Sequence, residues 1–260
     1  MFAVQTCATM VWALAETILA LAGCTVACGA LHAAAERIVV RRGWKGVAHE
    51  LAQHVVAVPA AALMGVAYSV ALLGAGTGVE ARNFEASRAH WCGMCVNLGV
   101  SLYEMALYAA HGKPLVVWLH HVAVSSALTS VLITGQQAHY IAWIGLAELT
   151  NIPLAAVMLM QAADRRTHPL YPVAGAALWL GFLCVRVGSL GWAVARLVHD
   201  ALYALPAAGR ELHFMSRWGS VLGTFFLWAL SCAWFVPISK GLLKAMGVDV
   251  GGGRRRGRDE

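Results

Sequence analysis

Residues 51–75 read LAQHVVAVPAAALMGVAYSVALLGA, an apolar run that contains no Asp, Glu, Lys or Arg. An α-helix of about 20 predominantly apolar residues is long enough to cross the hydrocarbon core of a bilayer. Six further stretches meet the same requirement: Cys7–Leu31, Trp91–Ala110, Val116–Thr134, Tyr140–Gln161, Val173–Val198 and Trp218–Leu243. The sequence therefore predicts an all-α, polytopic transmembrane helix bundle of about seven spans.

The composition of the 260-residue chain supports this fold class. Hydrophobic residues make up 60% of the chain and charged residues 12%, whereas a soluble domain has about 45–50% and about 25%. So few charges cannot cover a water-exposed surface, which excludes a soluble enzyme, a nucleic-acid-binding protein and a disordered chain. The apolar segments are also too long and too weakly alternating for a membrane β-barrel.

The basic residues indicate how the bundle is oriented, because cytoplasmic connections carry an excess of Lys and Arg. If the N-terminus lies outside, thirteen basic residues fall on the cytoplasmic side: Arg37, Arg41, Arg42, Lys45, Lys113, Arg165, Arg166, Lys240, Lys244, Arg254, Arg255, Arg256 and Arg258. Five fall on the other side: Arg82, Arg88, Arg196, Arg210 and Arg217. This bias predicts seven crossings and a cytoplasmic C-terminus. The alternative is six crossings, with the first segment lying along the membrane interface.

Neither the cysteines nor the histidines predict a metal site or a cofactor. Cys92 and Cys95 form a Cys-x-x-Cys pair, but no further zinc ligands and no thioredoxin-like βαβ pattern accompany it. His49 and His54 match one His-x4-His box of a membrane di-iron enzyme, and the paired-histidine boxes of those enzymes are absent. We therefore expect no metal and no bound cofactor, and we interpret the cysteines as small packing residues.

Ionisable residues inside a membrane span are costly and mark functional sites. Glu104 and the pair His120-His121 lie eight residues on either side of the turn at Gly112. In antiparallel helices they should share one depth, on the order of 12 Å from the turn, so a hydrogen bond from Glu104 to a histidine is reasonable. One imidazole could then act as a general base or a nucleophile. The alternative is a structural pair that holds the helices together.

Glu148 and Arg186 form a second group of opposite charges inside the predicted spans. Each lies 19 residues from the middle of the connection at residue 167, so the two should lie at matched depth. An unpaired charge in that position costs several kcal/mol, which favours a structural ion pair over a functional site. Asn151 and Pro153 lie about one turn beyond Glu148, and we expect them to loosen the helix there.

Taken in order, these residues resemble the TLC domain, a family that includes ceramide synthases, translocating-chain-associating membrane proteins and smaller lipid-related proteins. The segments that carry the resemblance are Ser101-Leu-Tyr103-Glu104, His120-His121, Glu148-Leu-Thr-Asn151-Ile-Pro153, Phe182-Leu-Cys-Val-Arg186, Trp234-Phe235 and Lys240-Gly241. The resemblance covers roughly Glu50 to Lys244. It implies that Glu104, His120 and His121 are the catalytic candidates and that Tyr103 and Trp234 bind substrate.

The resemblance also implies a division of the chain. An N-terminal transmembrane helix with a basic cytoplasmic segment occupies residues 1–48. A six-span TLC-type transmembrane domain follows at residues 49–246. The last part, residues 247–260, is expected to be a disordered basic cytoplasmic tail, whose arginines fix topology or contact anionic lipid.

Two departures from ceramide synthases place the chain nearer to the smaller TLC-domain proteins. The segment from Gly145 to Asn151 has one carboxylate and one amide where ceramide synthases carry an Asp-x-x-Asp-like pair. The stretch Lys113-Pro-Leu-Val lacks the acidic residue that precedes their histidine pair. Whether the chain is an enzyme is therefore left open by the sequence.

The resemblance implies a protein of the endoplasmic reticulum or another endomembrane that binds lipid or acyl chains and acts in sphingolipid or phospholipid homeostasis. The alternative is a ceramide synthase-like N-acyltransferase that uses acyl-CoA as co-substrate, and a third class is a cargo receptor or translocation factor. Membrane lipids and acyl-CoA are the expected partners, and nucleic acid is not. The oligomeric state has no signal in the sequence.

Overall fold

A computed structural model describes residues 2–44 and 47–245, with side chains placed for residues 14–44 and 47–244. Within these residues the chain is helical and contains no strand. The α-helices are α1 (Phe2–Arg41), α2 (Ala48–Leu73), α3 (Val79–Phe84), α4 (Arg88–His111), α5 (Leu115–Thr134), α6 (Ala138–Gly145), α7 (Asn151–Ala162), α8 (Leu170–Gly181), α9 (Leu190–His199), α10 (Leu205–Ala207) and α11 (Ser220–Ala245). The predicted all-α class is confirmed.

Short irregular turns join several of these helices into longer rods. A 3₁₀ turn, Leu146–Thr150, connects α6 to α7, and π-helical turns at Phe182–Ser189 and Asp200–Ala204 connect α8, α9 and α10. A further π-helical turn, Met215–Gly219, leads into α11. The first turn carries Glu148 and the second carries Arg186, so both charged side chains project from irregular backbone, which is frequent at functional sites.

Six helical segments of the described chain are long and apolar enough to cross a membrane: Leu14–Arg41, Ala48–Leu73, Leu115–Thr134, Ala138–Ala162, Leu170–Ala207 and Met215–Lys244. Helix α4, also predicted as a span, has 24 residues but is less apolar than these six. It packs against α1, α2, α5 and α6, so its polar residues Asn97 and Ser101 are buried by protein. A polytopic membrane bundle is thus confirmed, with α4 as its protein-shielded helix.

Six of the rods close into a ring. Helix α2 packs on α4, α4 on α5, α5 on α11, α11 on the rod of α8 and α9, α8 on α7, and α7 back on α2. Helix α1 packs outside this ring, against α2 and α4. Gly99 of α4 lies against Cys24 of α1 there, and the Thr25 hydroxyl donates to the Gly99 carbonyl at 3.2 Å. The architecture is therefore a ring of six helical rods with the N-terminal helix packed against its outside.

The connections between helices gather at two ends of the bundle. At the end that we call the basic end, Lys113 of the α4–α5 turn contacts Glu50 of α2 at 3.0 Å. At the opposite end, the backbone N–H of Gln137 donates to the backbone carbonyl of Asn83 at 2.8 Å and joins the α5–α6 connection to α3. The residues predicted for a basic disordered tail, 247–260, and Lys45 lie outside the described residues.

Candidate functional site

A cavity of about 370 Å³ lies inside the helix ring. It begins near the basic end, because Gln53 and His120 line it within two turns of the corresponding ends of α2 and α5. Its lining includes Gln53, His54, Ala57, Asn97, Val100, Ser101, Glu104, Tyr108, Val117, His120, His121, Val124, Glu148, Asn151, Leu154, Phe182, Arg186, Trp234, Pro237 and Ile238. Small-molecule sites have volumes of about 300–1,000 Å³ and a few convergent polar groups, and this cavity has both properties.

A narrower space of about 30 Å³ adjoins the cavity and shares Asn97, His120, Glu148 and Arg186 with it. The rest of its wall is mostly apolar, and examples are Leu128, Ile141, Leu190 and Leu227. The polar residues of the larger cavity are thus followed by apolar side chains farther into the bundle. We call this narrower space the apolar extension.

Glu104 and His121 meet across the α4–α5 turn. The Glu104 Oε2 atom lies 3.5 Å from His121 Nε2, and the two side chains are 15% and 11% exposed. The Tyr108 hydroxyl lies 3.2 Å from the same nitrogen. Gln53 of α2 donates to Glu104 Oε1 at 3.1 Å and to the Tyr108 hydroxyl at 3.0 Å. Side chains from three helices therefore form one connected polar network on the cavity wall.

The local sequence explains this arrangement. Gly112 adopts the left-handed conformation, with φ of 65°, and Pro114 follows it to begin α5, so the chain reverses within a short turn. Tyr108 lies four residues after Glu104, which places both on one face of α4. Adjacent residues on a helix point about 100° apart, so only one histidine of the pair can face Glu104. That histidine is His121.

His120 has a different environment. Its ring packs edge-to-face against Trp234 of α11, with centroids 5.5 Å apart, and also against His121 at 5.0 Å. The Nδ1 atoms of both histidines are buried without a hydrogen-bond partner in the described part of the chain. Trp234, predicted to bind substrate, lines the cavity.

Tyr103, the other residue predicted to bind substrate, is placed elsewhere. Its side chain is buried, and its hydroxyl lies 2.8 Å from His32 Nδ1 of α1, outside the ring. The aromatic residue of α4 that reaches the cavity is Tyr108. Sequence reasoning also missed Gln53 and His54, although two polar residues near the start of an otherwise apolar span were a usable signal.

Glu148 and Arg186 both line the cavity, but they do not touch each other. The Arg186 Nε atom donates to Thr150 Oγ1 at 2.7 Å, and the guanidinium lies over the Phe182 ring at 5.0 Å. Glu148 Oε2 accepts from Asn151 Nδ2 at 2.7 Å. The predicted matched depth thus brings the two charges to one cavity, while each one binds a neutral partner instead of forming the expected ion pair.

Three of the remaining histidines meet one another outside the cavity lining. His49 stacks on His111 with ring centroids 3.6 Å apart and faces His32 at 4.9 Å, between α1, α2 and α4. His54 lines the cavity. Among the described residues, no group of three or more His, Cys, Asp or Glu side chains is arranged to hold a metal ion.

Comparison with known families identifies the ring. The model of the TLC domain matches residues 51–240. This chain belongs to the TLC-domain family. The match begins in α2 and ends in α11, so the TLC domain coincides with the six-helix ring, and α1 lies outside it. No curated protein and no solved structure matches the chain. The chain is a multi-pass membrane protein of the TLC-domain family.

Proposed function

We propose that this TLC-domain protein binds the acyl chain of a lipid in the ring cavity and acts in the homeostasis of membrane sphingolipids or phospholipids. The observation that carries the proposal is a cavity of about 370 Å³ inside the ring, polar at Gln53 and Glu104 and apolar at Val124, Leu154 and Ile238. A lipid likewise has a polar headgroup followed by an apolar acyl chain. We place the protein in the endoplasmic reticulum or another endomembrane, with the basic end and the C-terminus in the cytoplasm.

Two valines of α5 allow a direct test of acyl-chain binding. Val124 lines both the cavity and its extension, whereas Val122 is 48% exposed on the outer face of the same helix. The protein in lipid nanodiscs is incubated with a palmitoyl probe that carries a photoreactive group, and labelling is measured by mass spectrometry. Val124→Trp should fill the cavity and lower labelling at least tenfold, while the matched control Val122→Trp should label like the wild type. Equal labelling of the two variants would contradict the proposal.

A second candidate function, N-acyl transfer, is supported by the contact between Glu104, His121 and Tyr108. In this reaction a sphingoid amine attacks the thioester carbonyl of acyl-CoA. The C–N bond forms and the C–S bond breaks, so that CoA leaves as a thiolate. His121 takes the proton released by the amine and passes it to this thiolate. Glu104, 3.5 Å from the same imidazole, stabilises the imidazolium that results. His120 is the alternative base or nucleophile, and the cavity holds the acyl chain.

The purified protein, supplied with acyl-CoA and a sphingoid base, tests this second function. His121→Ala should abolish formation of the acyl amide, and His120→Ala should lower it, with both variants still folded. His168→Ala is the control, because His168 is exposed in the α7–α8 connection. If the wild type shows no turnover across acyl-chain lengths and amine acceptors, the protein is not an N-acyltransferase. Acyl-chain binding is then tested by the valine variants alone.

A further inference from the structure

A separate cavity lies outside the helix ring, at the end of the bundle opposite the basic end. It has a volume of about 410 Å³ and is lined by α1, α4 and α5, and we call it the outer cavity. Helix α4 has 24 residues and is about 36 Å long, a little more than the hydrocarbon core of about 30 Å. Arg88, the first residue of α4, therefore lies at the level of the lipid headgroups. Glu16 and Trp91 line the cavity with it.

Two hydrogen bonds fix the depth of Glu16 relative to α4. The Trp91 indole donates to Thr17 Oγ1 at 3.1 Å, and the Thr25 hydroxyl donates to the Gly99 carbonyl at 3.2 Å. The paired residues are 74 positions apart in both contacts, so α1 and α4 run parallel in a constant register. Glu16 is therefore about 3 Å deeper in the membrane than the first residue of α4, at 1.5 Å per residue.

Glu16 and Arg88 bring opposite charges to the outer cavity without pairing. Neither side chain forms an ion pair with any other residue of the described chain. Glu16 is also the only charged residue of the apolar stretch Cys7–Leu31. A charged residue in such a segment is costly and marks a functional site. Two unpaired charges of opposite sign in one cavity indicate a ligand that carries both signs.

A phosphate joined to an ammonium has this property. Arginine binds phosphate through paired N–H groups, and the N-terminus of a helix, where Arg88 lies, also favours an anion. A carboxylate attracts an ammonium, and a Trp ring is the aromatic group that binds a quaternary ammonium best. We propose that the outer cavity binds the headgroup of a zwitterionic phospholipid, with its phosphate at Arg88 and its ammonium at Glu16 and Trp91. Glu16 repels an anionic headgroup, and Arg88 repels a cationic one.

A neighbouring cavity of about 590 Å³ provides a path for the acyl chain of this lipid. The same three helices line it, and Leu21 of α1 and Leu98 and Leu102 of α4 contribute apolar side chains. Met94 in the outer cavity lies one turn before Leu98 on α4. The lipid thus lies between α1 and the ring, on the other side of α4 from the ring cavity. Because α1 is outside the residues that match the TLC domain, the site combines that domain with a helix of its own.

Three lipids with the same dioleoyl chains test the headgroup: phosphatidylcholine, phosphatidylglycerol and trimethylammonium propane. In detergent micelles each one competes with a phosphatidylcholine probe that carries a photoreactive group in its acyl chain. Labelling of α1 is measured by mass spectrometry, because α1 does not line the ring cavity. Phosphatidylcholine should compete at about fivefold or more lower concentration than the other two lipids, since it alone satisfies both charges.

Two substitutions separate the two charges. Arg88→Gln should weaken competition by phosphatidylcholine and phosphatidylglycerol about tenfold, because both lose a charged hydrogen bond to phosphate, and should not weaken the phosphate-free lipid. Glu16→Gln should weaken phosphatidylcholine but strengthen phosphatidylglycerol, because the repulsion of the anionic headgroup is removed. The controls are Arg210→Gln and Glu211→Gln, which are exposed at the same end and outside the cavity lining. They should leave all three lipids unchanged.

Other outcomes overturn the inference. Equal competition by the three lipids, or a preference for phosphatidylcholine that both substitutions leave intact, would show that the two charges do not recognise the headgroup. Strongest competition by phosphatidylglycerol, lost in Arg88→Gln, would show an anion site instead. Absence of labelling in α1 would show that no lipid occupies the site. None of these results bears on the ring cavity, which Val124→Trp tests separately.

Discussion

Tyr108 and His121 meet across the α4–α5 turn, with the phenol oxygen 3.2 Å from the imidazole Nε2. Glu104 reaches the same nitrogen at 3.5 Å, and Gln53 binds both Glu104 and Tyr108. The imidazole is therefore fixed by two neighbours on α4, which are in turn fixed by α2. Such connected networks hold a side chain in one orientation more firmly than isolated hydrogen bonds do.

Removing the Tyr108 hydroxyl should slow acyl transfer if His121 is the base. A neutral hydrogen bond contributes about 1 kcal/mol, and about 1.4 kcal/mol corresponds to a tenfold change in rate. We expect Tyr108→Phe to lower kcat roughly fivefold with little change in KM, measured by acyl-amide formation. Tyr103→Phe is the matched control, because that hydroxyl binds His32 outside the ring. A larger loss in Tyr103→Phe than in Tyr108→Phe would contradict the assignment of Tyr108.

The pair of Arg82 and Asp200 should be a major contribution to stability. Asp200 is fully buried, and α3 lies outside the spans. Burial acts to lower the pKa of Arg82, but the hydrogen bonds that Arg82 donates to Tyr140 and Asp200 outweigh it, and the pKa lies above its ordinary value. The guanidinium thus stays charged. Removing one member of a buried pair costs about 3–5 kcal/mol.

We therefore expect Arg82→Ala to lower the unfolding midpoint in detergent on the order of 10 °C. The control is Arg210→Ala, since Arg210 and Glu80 form a pair at the same end whose side chains are 49% and 56% exposed. Exposed pairs contribute less than about 1 kcal/mol, so this midpoint should move by only a few degrees. Similar shifts of the unfolding midpoint in the two variants would mean that the buried pair contributes no more to stability than the exposed pair.

The depth of each site residue could be predicted from sequence, because the rise per residue is constant and the turns are short. Counting from Gly112 placed Glu104 level with the histidine pair, and they do meet. Rotation about the helix axis could not be predicted in the same way. The His, Ser and Thr residues of helix α5 are spread around its whole circumference, so no single polar stripe marks which side chain faces inward.

Because the rotation of each helix about its axis could not be predicted, two side-chain placements differ from expectation. Tyr103 and Tyr108 have the same chemistry, and both lie in α4. Only the positions of the helices around α4 show that Tyr103 faces α1. Glu148 and Arg186 reach the expected depth, yet Asn151 and Thr150 bind them separately. The fold class needed only length and hydrophobicity, and those are properties of each segment alone.

Tyr68 explains why two glycines occur inside the helix ring. The phenol ring of Tyr68 is fully buried and lies against Gly93 of α4 and Gly145 at the end of α6. A Cβ atom added at Gly93 would lie 2.6 Å from a carbon of the ring, which is too close without a shift. Overpacking typically costs about 1–3 kcal/mol, so Gly93→Ala should lower the unfolding midpoint measurably.

Two variants complete this test. Gly175→Ala is the control, because an added Cβ in α8 meets nothing within 4 Å, and it should keep the wild-type midpoint or raise it slightly. Gly93→Ala should cost less stability in the Tyr68→Leu background than it costs in the wild type. Additive losses in the double variant would show that contact with the ring is not the cause.

Orientation in the membrane is tested by labelling single introduced cysteines at the two ends. Thr167 lies in the α7–α8 connection at the basic end, and Ala208 follows α10 at the opposite end; both are exposed. Because basic connections face the cytoplasm, Thr167→Cys should react with an impermeant maleimide in sealed, cytoplasmic-side-out vesicles. Ala208→Cys should react only after the vesicles are permeabilised. The parent protein measures labelling of the native cysteines, and a reversed pattern would place the basic end, and the cavity that begins near it, on the far side of the membrane from cytoplasmic acyl-CoA.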